Sequence, residues 1–349
     1  MFRLKRGDYM SGRKTYRKII TSPEIIAQIN PKNTMLMEKF LKNFATRRSP
    51  KSVVVYRSNL KMFFCYCVTE LDNKFYIDLK KYDLMEFFDY CVTELKWHSN
   101  RFHEMHSCLS SFSTWIENYY DDQYPMFRNL LPKIEKPDRT TVREKSVFTK
   151  VELDELLSWL IEEGRIFEQC LLTMMIASGA RISEMERFKV SMIDENNLAF
   201  DNLFIETTEE MRVKGRGVDG KKIVRYLLKD VFLPYYKKWL PIREQIMKEN
   251  GQEHDYVFVT KTGEPATEAT FRSCFNKWNQ VLNKHFYPHS MRHYWTSMLD
   301  KAGVDKELIQ YMQDWSSDSM VTLYNDNTLK DKKWKCLDKL KEGLQNNSI

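Results

Sequence analysis

The sequence predicts a mainly α-helical protein with a small β-sheet, divided into two domains. Three observations predict it. From Asn30 to about Leu130 apolar residues recur at helical spacing, with almost no glycine and few prolines. Residues 132–146, PKIEKPDRTTVREKS, are polar, carry two prolines and have no apolar period, so they read as a linker. Residues 198–231 alone show short β-like pieces, LAFDNLFIE and KIVRYLLKDVF, around the turn-rich centre KGRGVDGKK. A chain of 349 residues is also long enough for about two domains with a core each.

Taken in order, residues 1–29 form a basic N-terminal arm and residues 30–131 a helical domain. Ser49-Pro50 supplies an N-cap and a first-turn proline to a helix running through Tyr56, Leu60 and Phe63 to Leu71. Asp83 with Glu86 makes a capping-box-like start for a helix covering Phe87 to Leu95. A third, about Arg101 to Tyr120, carries Leu109, Phe112, Ile116 and Tyr119 as a buried stripe. The whole reads as a compact bundle of four or five helices. One internal echo stands out: FFCYCVTEL at 63–71 and FFDYCVTEL at 87–95 differ at one position across an offset of 24 residues. Two copies do not make a solenoid, which needs about three repeats, so they read as two similar core-facing helices.

The second domain, residues 147–349, opens with an amphipathic helix from about Lys150 to Glu163. The bulky, Met-rich run CLLTMMIASGA at 170–180 reads as a buried helix rather than a strand. The small sheet follows, and from Leu233 helices resume to the C-terminus.

Composition excludes several classes of protein. At 42% hydrophobic and 30% charged the chain is ordinary globular material, neither disordered nor membrane-embedded. No run approaches the roughly 20 apolar residues of a membrane span, and the basic N-terminus has no apolar segment of the secretory kind behind it. Seven cysteines, an odd number without a C-x-x-C pair, predict a reducing, intracellular compartment. No metal site is expected: His103 and His106 could share a helical face but lack the companions a zinc ion needs. Net charge is +7, and the first 18 residues hold a surplus of six, with Arg3, Lys5, Arg6, Arg13, Lys14, Arg17 and Lys18 against Asp8. That is the composition of an arm that neutralises nucleic-acid phosphates, or of a solvated tail.

Four short segments of the second domain then stand out together. In SGARISEM, Arg181 follows a glycine at the end of the apolar helix, with Glu184 as a ready partner. In YPHSMRHYW, His289 and Arg292 fall at i and i+3, which suits an anion; His289 and His293 lack the Glu of a zinc-binding H-E-x-x-H. In DWSSDSMVTLY, Trp315 and Tyr324 lie nine residues apart on either side of a helix start. In VKGRGVDGKK, Lys214 and Arg216 occupy a glycine-rich turn able to swing a cation over a ligand, with Lys221 close behind.

These residues resemble the tyrosine recombinase, or phage integrase, family, to which Cre-like and Xer-like enzymes belong. Its members share an Arg in a T/S-G-x-R-x-x-E-[LM] segment, an H-x-x-R box, and a His or Trp nine residues before a nucleophilic Tyr. Arg181 with Glu184, His289 with Arg292, and Trp315 with Tyr324 match in order, type and final spacing. SPKSVVVYRSNLKMF is similar to the family's core-binding domain, so the likeness covers about residues 30–330. Trp315 stands where His is usual, and Asp314 where Gly is common. For the family's β-hairpin lysine Lys214 is the first choice, with Arg216 and Lys221 open as alternatives.

The resemblance implies a core-binding domain and a catalytic domain that clamp DNA. It implies cleavage without metal or other cofactor: Arg181 and Arg292 meet the charge on the phosphorane oxygens, His289 accepts the Tyr324 proton, and Lys214 protonates the leaving 5′-oxygen. Trp315 donates an indole N–H and packs the tyrosine helix. The product is a 3′-phosphotyrosyl enzyme that stores the bond energy for rejoining. The implied partners are double-stranded DNA target sites, four protomers on two duplexes joined in a Holliday junction, and an accessory directionality factor. The implied place is the cytoplasm of a prokaryotic or phage-infected cell, on DNA. The Lys-rich segment KDKKWKCLDKLKEGL predicts an amphipathic helix that docks on a neighbouring protomer or folds back on its own domain. Two other functions share the fold: a DNA-binding regulator that does not use the chemistry, and a type IB topoisomerase-like enzyme.

Overall fold

The computed structural model describes residues 21–139, 147–213 and 220–327. The basic residues Arg3, Lys5, Arg6, Arg13, Lys14, Arg17 and Lys18, the turn residues Lys214 and Arg216, and the Lys-rich C-terminal segment lie outside the described residues. The chain is mainly helical with a small sheet and forms two compact units.

The first unit is a bundle of α1 (Pro23–Gln28), α2 (Pro31–Ala45), α3 (Pro50–Glu70), α4 (Lys81–Thr93) and α5 (Ser99–Tyr119). Each of α1 to α3 starts with a proline whose missing N–H costs nothing there, behind a Ser or Asn that caps the next amides; Ser49 accepts from the Ser52 N–H. The core is aromatic: Phe40, Phe63, Phe64, Tyr76, Phe87 and Phe112 are buried and meet edge to face or tilted. The two copies of the repeated segment face each other across it, Phe63 on Phe87 at 4.8 Å and Tyr66 on Phe87 at 5.0 Å. Both copies end alike, with amides six residues on, at Asn73 and Trp97, donating to the carbonyls of Cys67 and Cys91.

Three details differ from expectation. Helix α4 is capped from within: Asp83 sits in its first turn, accepting the Lys80 N–H at 2.8 Å and an ion pair from Lys74, so it is not the residue before the helix. Tyr119 is 58% exposed, because α5 ends there and its last turn has left the core. The stretch expected as linker from residue 132 begins inside the bundle: Leu131 and Ile134 are buried in its core, and His106 and His103 meet the Leu131 and Pro137 carbonyls at 2.8 and 2.9 Å.

The second unit begins with α6 (Lys150–Glu162), whose N-cap Thr149 and Glu152 form a capping box. Next comes α7 (Ile166–Ser178), buried almost all round, as a helix apolar on every side must be. It ends at Gly179 in the left-handed region, φ 56°, and the one-turn helix α8 (Ile182–Met185) follows. Strands β1 (Leu198–Ala199), β2 (Phe204–Glu206) and β5 (Tyr226–Leu228) form an antiparallel sheet in the order β1-β2-β5. Strands β3 (Met211–Val213) and β4 (Lys221–Ile223) make a separate antiparallel pair, Val213 opposite Lys221. Helix α9 (Lys229–Glu249) starts directly after β5, earlier than the expected Leu233, and packs along α7. Then come α10 (Glu268–Leu282), α11 (Ser290–Ala302), α12 (Lys306–Gln313) and α13 (Ser319–Tyr324). A satellite core of Phe204, Tyr226, Trp295, Leu299, Ile309, Met312, Trp315 and Val321 binds the last three helices to the sheet. Among the described residues no helix is long and apolar enough to cross a membrane.

Candidate active site

The site is assembled where α7 ends and α11, α12 and α13 converge. Gly179 makes the turn possible. Its φ of 56° disfavours side chains, and a Cβ there would lie 2.8 Å from ring carbons of Trp295 and 3.1 Å from the Gln313 amide nitrogen. The close approach lets the Gly179 carbonyl accept from Arg292 Nη1 at 2.9 Å.

Arg181 caps α8, and its partner Glu184 is bound twice: Oε2 accepts the Arg181 backbone N–H at 2.9 Å and Oε1 accepts Nη1 at 3.0 Å. Glu184 is fully buried, where an unpaired carboxylate would cost several kcal/mol. A second arginine completes it. Arg225, also fully buried, donates from Nη2 to Glu184 Oε2 at 2.5 Å and from Nη1 to Gln313 Oε1 at 2.9 Å. Burial alone would raise the Glu184 carboxyl; Arg225, Arg292 and Arg181 outweigh it and hold the group below the usual carboxylate range.

Arg292 is the third guanidinium. It is fully buried in the first turn of α11, and its single hydrogen bond among the described residues is the one to Gly179; Nε and Nη2 have no partner there. Burial, with Arg181 and Arg225 beside it, pushes Arg292 down to about 9. Its guanidinium lies 4.8 Å from the Trp315 ring and 5.4 Å from the Tyr324 ring. Those two rings stack in parallel at 5.2 Å, 10° apart. The Trp315 Nε1 is buried and without a hydrogen-bond partner among the described residues.

Tyr324 is the last residue of α13 and half-buried. His289, exposed as the N-cap of α11, has its ring 6.4 Å from the Tyr324 ring, while His293, one turn on and buried, is nearer at 4.8 Å. His293 Nδ1 lies 3.2 Å from Asp326 Oδ2, close enough for an ion pair but not aligned as a hydrogen bond. The turn that delivers Trp315 is made by Asp314 in the left-handed region, φ 50°, a conformation for which glycine is the natural residue and Asp one of the tolerated ones.

The structure therefore brings together Arg181, Glu184, His289, Arg292, Trp315 and Tyr324. Lys221, on β4, is 56% exposed and its ammonium pairs with Asp314, the turn residue directly before Trp315, so it stands at the edge of this cluster. Lys214 and Arg216 lie outside the described residues. Sequence reasoning missed Arg225, Gln313 and the His293–Asp326 pair. For Arg225 a signal existed: an arginine inside the apolar strand pattern KIVRYLL must be paired when buried. Nothing local marked Gln313.

The XerC tyrosine recombinase of Psychromonas ingrahamii is 23% identical over 286 residues, covering 77% of this chain and 84% of that protein. XerC of Oceanobacillus iheyensis is 23% identical over 225 residues, covering 64% of this chain and 68% of that protein. Among solved structures the fold is shared with the Tn1549 transposon integrase in complex with circular intermediate DNA. Its TM-score is 0.62 at 16% identity, over 87% of this chain and 98% of that one. It is shared also with a lambda integrase tetramer bound to a Holliday junction, TM-score 0.60 at 14% identity, over 84% and 77% of the two chains. The model of the phage integrase family matches residues 146–330, more than half of the sequence, and the chain belongs to that family, the tyrosine recombinases.

Proposed function

We propose that this protein is a site-specific DNA recombinase that cuts and rejoins DNA through a covalent bond to Tyr324. One observation carries the reading: a buried guanidinium, Arg292, holds two N–H positions without acceptors among the described residues, against a tyrosine and an indole whose own N–H is likewise unmatched there. Buried donors left open in this way are uncommon, and three of them at one place fit a bound oxyanion.

In the reaction the Tyr324 oxygen attacks the phosphorus of a phosphodiester, the 5′-oxygen leaves, and the 3′-phosphate stays on the tyrosine. Arg181 and Arg292 hold the non-bridging oxygens, with guanidinium geometry suited to them. The Trp315 Nε1–H is the donor that a His provides elsewhere in the family. His289 takes the phenolic proton, which a group with pKa about 10 would otherwise keep at pH 7. The leaving oxygen receives its proton from the β3–β4 turn, Lys214 in our reading. Attack by a new 5′-hydroxyl on the phosphotyrosine rejoins the strand without an external energy source, since the ester bond is conserved. We further infer two duplexes and four protomers in the working assembly, on the likeness to an integrase that is a tetramer on a Holliday junction. An accessory factor that sets direction would act on that assembly. The relatives favour recombination over a regulatory or topoisomerase-like role.

The test is covalent trapping. The protein is incubated with candidate target duplexes carrying a nick or a bridging phosphorothiolate near the cut, and SDS-resistant adducts are sought for the wild type and for Tyr324→Phe. An adduct lost in the variant is expected; tight DNA binding with no adduct from either protein would overturn the reading.

A further inference from the structure

Arg225 has no place in the chemistry just described, yet it is fully buried at the centre of the polar network beneath it. Its fork spans two elements. One arm reaches Glu184, the carboxylate that orients Arg181; the other reaches Gln313, the last residue of α12. Its backbone N–H is fixed in turn by the Thr207 hydroxyl at 2.9 Å, so the guanidinium projects from a point anchored just before β5.

Gln313 passes the constraint on. Its Nε2 donates to the Ser178 carbonyl at 2.9 Å, at the end of α7 beside Gly179, and the next residues are the Asp314 turn and Trp315. The Trp315 carbonyl accepts from Gln310 Nε2 at 2.9 Å, so the indole that stacks on Tyr324 is tied back to the same helix end. Electrostatics point the same way. With Arg225 on Oε2, Glu184 does not draw Arg181 and Arg292 wholly to itself, and three guanidiniums around one carboxylate leave an excess of positive charge for an anion.

We propose that Arg225 is a positioning residue for strand cleavage: by bridging Glu184 and Gln313 it sets Arg181 and the Trp315–Tyr324 segment against the same phosphate. The inference rests on the reading of Tyr324 as nucleophile. A lysine cannot substitute, because a point charge does not hold two acceptors in a fixed planar geometry. A displacement of about 1 Å in such a site costs on the order of a hundredfold in rate, so the bridge need move little to matter.

The experiment follows single-turnover adduct formation by the full-length protein on unmodified and 5′-bridging phosphorothiolate duplexes. DNA affinity and the thermal midpoint are measured alongside, for wild type, Arg225→Lys, Gln313→Met and the double variant. Each single variant is expected to slow adduct formation by about tenfold or more with DNA affinity within about twofold. The double variant is expected to be no slower than the slower single, because both break one bridge. The slowing should persist on the phosphorothiolate, whose good leaving group relieves only the need for an acid. Wild-type rates for Arg225→Lys, effects that multiply in the double variant, or rescue by the phosphorothiolate would each overturn the proposal. If Arg225→Lys does not fold, Gln313→Met decides alone. A wild-type protein that forms no adduct sinks the nucleophile reading instead.

Discussion

At the scale of the residue, the proposed role of Arg292 in holding a phosphate comes at a cost in stability. A guanidinium enclosed with two open N–H positions and two other arginines close by is held there against its own desolvation. Replacing it with an apolar chain of similar length should therefore cost activity far more than stability. Arg292→Met is expected to reduce adduct formation by about a hundredfold or more, the scale of losing a preorganised donor. Its thermal midpoint should not fall below wild type by more than about 2–4 °C, the shift of 1 kcal/mol in a domain this size. A larger fall would mean that the Gly179 carbonyl and the aromatic rings stabilise this cation more than its burial opposes it. In the wild type sulfate should raise the midpoint more than chloride at equal ionic strength, through binding at the open donors. In Arg292→Met that difference should shrink to the general stabilisation that sulfate, excluded from the protein surface, gives any folded chain.

At the scale of the element, the site depends on how α7 stops. Gly179→Ala places a methyl 2.8 Å from the Trp295 ring in a left-handed conformation, and both faults fall at the junction that also positions Arg292. A loss of about 2–4 kcal/mol in denaturant unfolding of the second unit is expected, combining backbone strain with overpacking; a loss under about 0.5 kcal/mol would show that the turn has another solution. Elements are also where sequence is most legible. The buried α7, the Ser49-Pro50 helix start and the short strands declare themselves because periodicity and caps are local. Arg181, His289, Arg292, Trp315 and Tyr324 are legible as a spaced set, each tied to a motif. What was hidden is what only folding brings together: Gln313 is 88 residues from Arg225 and 135 from Ser178, and no local pattern joins them. Asp83 misled for a related reason, since a carboxylate can cap a helix from its first turn as well as from before it.

At the scale of the whole molecule, charge is unevenly placed, with most of the excess in the first 18 residues. If that arm neutralises phosphates, removing residues 1–20 should flatten the dependence of log Kd on log salt by about 0.9 for each phosphate it no longer neutralises. An unchanged slope would make the arm a solvated tail. The two units otherwise divide their labour by composition: an aromatic bundle with a repeated FFxYCVTEL helix in one, and a polar network roofed by two rings in the other. That roof has a consequence of a different kind. Because the indole of Trp315 lies flat on the phenol of Tyr324, its fluorescence is sensitive to whether the ring is there. On the proposed reading of Tyr324 as nucleophile, the stack is an intrinsic optical label on it, one expected to change when the tyrosine leaves the stack or acquires a phosphate.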